Sequence, residues 1–267
     1  MDAFADKVKE ICDIYFSAAE SEGVHVYSTD EKMGINAREH KTPSIQMKEG
    51  CPEKIDPEYI RHGTSGIIAS RDVATGEIVA PMVQLFRLKL GFRLRQERAK
   101  SRAFLTCFSP FQIETLIQPT RTEEDFSEHI KNVIKLNPND KNIFVTDNLN
   151  THKSETLVRL VSEIEGIPAS ALGIKDKKGV LKSMATREAF LSNPAHKVHF
   201  IYTPKHCSWL NQIECWFGII TRRLLNKRAS FISVADLEQK IWNFINYYNQ
   251  YLMKPFQWNY KGKFLKI

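Results

Sequence analysis

The chain is predicted to be an α/β protein, with a mixed sheet flanked by helices. Three observations predict it. Short apolar, β-branched runs stand at 24–27, 142–146 and 198–202, amphipathic helical segments lie before, between and after them, and a hairpin signal at 66–80 precedes the alternation. Hairpin strands first and strand–helix alternation later put antiparallel and parallel neighbours into one sheet.

The elements follow in order. Residues 4–21 carry Val8, Ile11, Ile14, Tyr15 and Ala18 at helical spacing, and Gly23 stops them. Val24-His25-Val26-Tyr27 is a short strand running into Ser28-Thr29-Asp30. Residues 31–60 are polar, with Pro43, Gly50, Pro52 and Pro57, and read as a long loop. Gly66-Ile67-Ile68-Ala69 and Glu77-Ile78-Val79-Ala80 flank Ala74-Thr75-Gly76 as a β-hairpin. A helix over 125–134 puts Phe126, Ile130, Val133 and Ile134 on one side, and the run 142–146 is a buried strand ending at Asp147. Residues 154–164 form a helix with Leu157, Leu160, Val161 and Ile164 at core spacing, and 165–195 read as a loop-rich insert. Val198-His199-Phe200-Ile201-Tyr202 is a strand stopped by Pro204. A helix spans 209–225, and the last one, 234–251, opens with Ser233 and Asp236 three apart, an N-cap signature.

Composition sets the class. With 42% hydrophobic and 26% charged residues over 267 positions, the chain has the balance of a globular protein, which excludes disorder and collagen-like repeats. No apolar run approaches the roughly 18 residues of a membrane span, so no membrane partner is expected. Five scattered cysteines and an acidic N-terminus without an apolar signal core predict a cytoplasmic location. The net charge of +7 points weakly to a polyanionic partner, and most of the surplus sits at 84–116, where seven basic residues face two acidic ones. A single solvated basic helix would give the same pattern.

Two acids stand at strand ends, Asp30 and Asp147, where ligand sites of sheets with parallel neighbours collect. An Asp there also serves as a turn or helix cap. Glu214 lies in an apolar helical segment between Ile213 and Trp216-Phe217, where a carboxylate is costly unless paired or metal-bound. An exposed stripe of the same helix, with Arg222 nearby, is the alternative. Three such carboxylates can hold divalent cations with open positions for phosphate oxygens, the arrangement used in phosphodiester chemistry. His199, His206, Cys207 and Cys215 lack the paired spacing of a structural zinc site.

The segments Thr203-Pro204-Lys205-His206-Cys207-Ser208-Trp209-Leu210-Asn211-Gln212-Ile213-Glu214-Cys215-Trp216-Phe217 and Asp147-Asn148-Leu149-Asn150-Thr151-His152 resemble DDE transposases, in the bacterial insertion-sequence branch of the mariner-like superfamily. Ser28-Thr29-Asp30-Glu31-Lys32 is similar to the family's first catalytic block. Tyr59-Ile60-Arg61-His62-Gly63-Thr64, Phe244-Ile245-Asn246-Tyr247-Tyr248-Asn249 and Pro255-Phe256-Gln257-Trp258 match further blocks in order. The resemblance implies an RNase H-like fold with Asp30, Asp147 and Glu214 as the metal-binding and catalytic triad. Of the pair Asp30-Glu31, it puts the ligand at Asp30. It implies Mg²⁺ (or Mn²⁺) dependent hydrolysis of double-stranded DNA at element ends and attack of the freed 3′-OH on a TA target. It also implies a homodimer in the active complex and a bacterial, nucleoid-associated setting. Asn148, His152, Lys205, His206 and Asn211 match motif positions and are expected to support the triad or contact DNA.

Two departures from the family shape the expectation. The residues before Asp30 suffice for one helix and one strand, so the helix-turn-helix region that reads element ends is expected on a separate chain or to be lost. Val83-Gln84 and Ile117-Gln118 look like two copies of one junction, which makes about 85–118 an expected insertion in a single 1–267 domain. The expected function is that of a transposase catalytic domain. The alternatives are an inactive relic that retains fold and non-specific DNA binding, and a stand-alone RNase H-like nuclease.

Overall fold

The structure, a computed structural model, describes residues 3–42, 44–54, 57–84 and 122–260. The expected insertion at 85–118, with its basic cluster, lies outside the described residues.

Helix α1 (Ala3–Ser17) turns Val8, Ile11, Cys12 and Tyr15 inward and stops ahead of Gly23, whose φ of +69° suits a residue without a Cβ. The chain then enters β1 (Val24–His40), a strand much longer than its first apolar run. Residues 31–40, expected as loop, continue it. They pair antiparallel with β2 (Tyr59–Asp72) from Glu31↔Ile68 to His40↔Tyr59, so the loop shrinks to the residues between these strands. The reason lies in alternation: Ile35 and Ala37 turn into the core while polar neighbours turn out, a period of two that the charged residues obscure. The hairpin from β2 into β3 (Ile78–Gln84) forms as expected, closed by Asp72 N–H donating to Glu77 O at 2.9 Å.

Beyond the hairpin the sheet changes direction. β4 (Lys141–Thr146) pairs parallel with the opening of β1, from Val24↔Lys141 to Ser28↔Val145, and β5 (Val198–Tyr202) pairs parallel with β4. The order is β3-β2-β1-β4-β5, three antiparallel strands followed by two parallel additions. This mixed sheet with helices on both faces is the RNase H-like arrangement.

Three apolar clusters hold the layers together. On one face α2 (Glu123–Ile134), α3 (Glu155–Ile164) and α4 (Met184–Leu191) bury Phe126, Ile130, Leu157, Val161 and Leu191 against Phe144 and Phe200. On the other face α1 packs on Val26, Val145 and Ile201, while α5 (Ile213–Arg223) and α6 (Val234–Tyr247) cover the hairpin through Trp216, Ile220, Leu237 and Ile241. Truncating a core aromatic such as Phe144, which is fully buried, would cost about 3–5 kcal/mol.

Local chemistry sets the helix ends. Ser154 caps α3 by accepting from Leu157 N–H, and Ser233 caps α6 by accepting from Asp236 N–H, as its spacing predicts. Helix α4 corrects the expected loop: Ser183 and Thr186 form a capping box that starts eight helical residues with too little amphipathic contrast to be read in advance. Helix α5 begins at Ile213 rather than 209, because residues 208–210 form a separate 3₁₀ turn. Helix α6 ends at Tyr247 and passes into a π-turn over Tyr248–Leu252. Among the described residues no helix is long and apolar enough to cross a membrane.

Candidate active site

The site lies where β1 and β4 diverge. Their parallel register ends at Ser28↔Val145, so Asp30 in β1 and Asp147, the residue after β4, stand at the same level beyond it. Alternation sends Ser28 and Asp30 to the α5 face, and Thr29, Glu31 and Thr146 to the α2–α3 face. His152, from the 3₁₀ turn Thr151–Lys153, closes the gap between the two faces. Asp30, Asp147 and His152 each present a ligand-type atom, and these atoms lie within 4.8 Å of one another.

The partners fix each side chain. His152 Nδ1–H donates to Asp147 Oδ1 at 2.7 Å, and His152 Nε2–H to Glu31 Oε2 at 3.0 Å. The ring is fully buried beneath Phe126, with centroids 4.1 Å apart. Burial alone would lower the imidazole pKa, but the two carboxylates override it and raise it to about 9, so the ring is an imidazolium at neutral pH. Asp30 takes the opposite course: its own burial, then the charge of Asp147, push its carboxyl up to about 7. Asp30 Oδ1 accepts from Glu31 N–H at 2.8 Å and its Oδ2 from Asn211 Nδ2 at 3.1 Å.

The start of α5 is bolted to β1 beside this cluster. Ser28 Oγ accepts from Ile213 N–H at 2.8 Å and donates to Asn211 Oδ1, so a strand hydroxyl does the work of the helix cap. Asn211 Nδ2 also reaches Thr29 O at 3.2 Å, and Tyr15 of α1 donates to Leu210 O at 2.7 Å. On the far side, Lys153 Nζ donates to Glu188 Oε2 at 2.7 Å and to Asn148 Oδ1, while Asn148 Nδ2 donates to Thr203 O. That chain of bonds ties the end of β4 to the end of β5.

The residues singled out in the sequence are distributed unevenly. Asp30, Asp147 and His152 come together, Asn211 joins them through Asp30, and Asn148 braces the strand ends. Lys205 and His206 are exposed in the turn after β5, His206 with a φ of +63°. Glu214 stands outside the group of three donors and is exposed in the first turn of α5. Because the helix begins only at Ile213, Asn211 is not on a helical face with Glu214. The carboxylate sits where the N-terminal helix dipole favours it, and it is carried on the helix end that Ser28 fixes beside Asp30. His199, His206, Cys207 and Cys215 form no such group among the described residues. Sequence reasoning assigned no role to Ser28 or Thr146, and of the pair Asp30-Glu31 it pointed to Asp30 alone. Glu31 stood in plain view beside Asp30, and only the pleat shows that the two acids leave the strand on opposite faces.

Residues 95–238 match the family profile of the DDE superfamily endonucleases, more than half of the chain and including Asp147, His152 and Glu214. The chain belongs to the DDE superfamily of endonucleases. The match begins inside the segment expected as an insertion. No curated protein matches the DDE chain in sequence. Among solved structures, it is similar to the Mos1 transposase paired-end complex with left transposon end (10% identity, 94% of this chain and 64% of that one, TM-score 0.33). It is also similar to the Mos1 mariner paired end complex with Mn (11%, 100% and 65%, TM-score 0.34) and to the Mos1 Strand Transfer Complex (14%, 98% and 62%, TM-score 0.33). The DDE chain thus spans less than two thirds of the Mos1 chains it resembles.

Proposed function

We propose that this DDE chain is a metal-dependent transposase catalytic domain, hydrolysing phosphodiesters at element ends and transferring the 3′-OH strand into target DNA. The observation that carries the reading is the meeting of Asp30 and Asp147 at the carboxyl ends of β1 and β4, in a chain whose sequence matches the DDE endonucleases.

The donor set suits Mg²⁺ or Mn²⁺. Two carboxylates are brought together where one is already reluctant to ionise, a cost that a hard cation relieves. Asp30 and Asp147 would hold it, with Glu214 as the third ligand offered from the start of α5. When bound, the metal supplies a nucleophilic water and charge neutralisation at the scissile phosphate. His152 is the less suitable ligand, because both ring nitrogens already donate to carboxylates. Its role is to hold the Asp147 carboxylate in one orientation, with Glu31 fixing the ring from behind. Asn211 orients Asp30 in the same way. Asn148 keeps the β4–β5 ends together, and Lys205 and His206, exposed on the rim, would meet the DNA backbone.

DNA bearing element ends, a TA target, a second copy of the chain and a separate helix-turn-helix chain complete the reading, together with a cytoplasmic, nucleoid-associated location. Strand joining is the experiment that tests it. Labelled duplexes with free 3′-OH ends, incubated with supercoiled plasmid and Mn²⁺, should become covalently attached to the plasmid. Cutting without any joining would replace the transposase with a nuclease.

A further inference from the structure

A groove of about 470 Å³ runs between the far half of β1, the end of α5 and the segment that follows it. Its walls include Lys32, Arg38, His40 and Lys227 and, among the described residues, no carboxylate. Arg38 and Lys227 are exposed and have no acidic partner within salt-bridge reach among the described residues, whereas neighbouring Arg228 and Lys41 are taken by Glu53 and Glu58 at 2.6 and 2.7 Å.

The strand pairing sharpens the contrast. Arg38 lies directly opposite Arg61 of β2, and Arg61 likewise has no carboxylate partner among the described residues. Like charges in directly opposed positions destabilise a sheet. Among the described residues Arg38 is steadied by the Tyr59 ring, 5.5 Å from its guanidinium carbon, and Lys32 by Phe217 at 5.9 Å. Aromatic faces hold these cations in place without neutralising them, which leaves their charge for an external anion. The row is also aimed. It starts at Lys32, two residues past Asp30, and reaches Arg38 six residues later; at roughly 3.4 Å per residue Arg38 is at most about 27 Å along β1 from Asp30, since β1 is irregular between Lys32 and Ile35 and between Ala37 and Arg38. That distance is about eight phosphate steps of a DNA strand.

We propose that this groove is a docking track for the phosphodiester backbone of duplex DNA flanking the scissile bond, with Lys32, Arg38 and Lys227 as its phosphate contacts and Arg61, paired with Arg38 on β2, extending the basic surface beside it. The proposal rests on the transposase reading for the identity of the anion. It adds the surface along which the DNA leaves the carboxylates.

The test is fluorescence anisotropy with a labelled 30-base-pair duplex across a salt series, without metal. The full chain is compared with a triple variant, Arg38→Gln, Arg61→Gln and Lys227→Gln, and with a control triple on other surfaces, Lys9→Gln, Lys135→Gln and Lys177→Gln. Three lost phosphate contacts should reduce the slope of log K against log [salt] by about 2.7 and weaken binding at least tenfold, with the control unchanged. Thermal melting should show the groove triple folded, since all three side chains are exposed. Should the triple not fold, Arg38→Gln alone should reduce the slope by about 0.9. Groove and control triples that bind alike overturn the proposal. So does a groove triple that leaves DNA binding intact but changes the sedimentation of concentrated protein, which would assign the groove to a second copy. Binding needs no cleavage, so metal-dependent nicking that survives Asp147→Asn would refute the transposase site while leaving the groove result standing.

Discussion

Glu31 and His152 meet at 3.0 Å with their side chains sealed from solvent, 1% and 0% exposed. The contact crosses from the middle of β1 to the turn after β4, and His152 continues it to Asp147. A buried ion pair is kept in place by its partners, and removing one strands the other. Glu31→Ala should therefore lower stability by roughly 3–5 kcal/mol. Urea unfolding at pH 7 measures it, and a loss under about 1 kcal/mol would show that the pair carries no such weight.

The buried histidines should give stability two pH limbs of opposite sign. His129, fully buried on α2, is lowered to about 4 by burial. It folds neutral, so its contribution is complete above pH 6.5 and is lost as pH falls towards 4, about 3 kcal/mol in all. His152, raised to about 9, contributes fully below pH 6.5 and loses that contribution as pH rises through 9. Urea midpoints from pH 4 to 9.5 should lose the acid limb in His129→Gln and the alkaline limb in His152→Gln. Two variants with the wild-type profile would contradict both assignments.

Asp30 is held against its own preference, and that gives a stability–function trade. Without metal, Asp30→Asn removes a charge that burial and Asp147 both disfavour, so it should raise the melting temperature. Mn²⁺ should then stabilise wild type by mass action, about 2.7 kcal/mol at a hundred times its dissociation constant, and leave the variant unmoved. Calorimetric melts with and without Mn²⁺ separate these effects. Equal metal stabilisation of both proteins would remove Asp30 from the ligand set.

Ser28→Ala tests the bolt between β1 and α5. The hydroxyl serves Ile213 N–H and Asn211 Oδ1 together, and its loss leaves both buried without that partner. A cost of roughly 1–3 kcal/mol is expected, with plasmid nicking reduced at temperatures where the protein stays folded. Loss of stability with unchanged nicking would mean that the bolt supports the fold alone.

Legibility in the sequence followed local signals. β4 ended just before Asp147, β5 spanned 198–202 and Ser233 opened α6, because each is marked by a β-branched run or a cap that acts within a few residues. The second half of β1 was hidden because its charged residues sit on a partly exposed ribbon, where pairing with β2 and not composition decides the conformation. Glu31 was hidden for a related reason: a carboxylate beside a candidate ligand has no sequence mark that tells burial from exposure. The position of Glu214 turned on where α5 begins, and that is fixed by Ser28, some 185 residues earlier in the chain.

Asp30 and Asp147 are proposed to form a working metal site for phosphodiester cleavage. Nicking of supercoiled plasmid in Mn²⁺ and Mg²⁺, wild type against Asp147→Asn, tests it most directly. Metal-dependent nicking that disappears in a folded Asp147→Asn protein is the predicted result. Nicking that persists in the variant, or none from folded wild type in either metal, would contradict the claim.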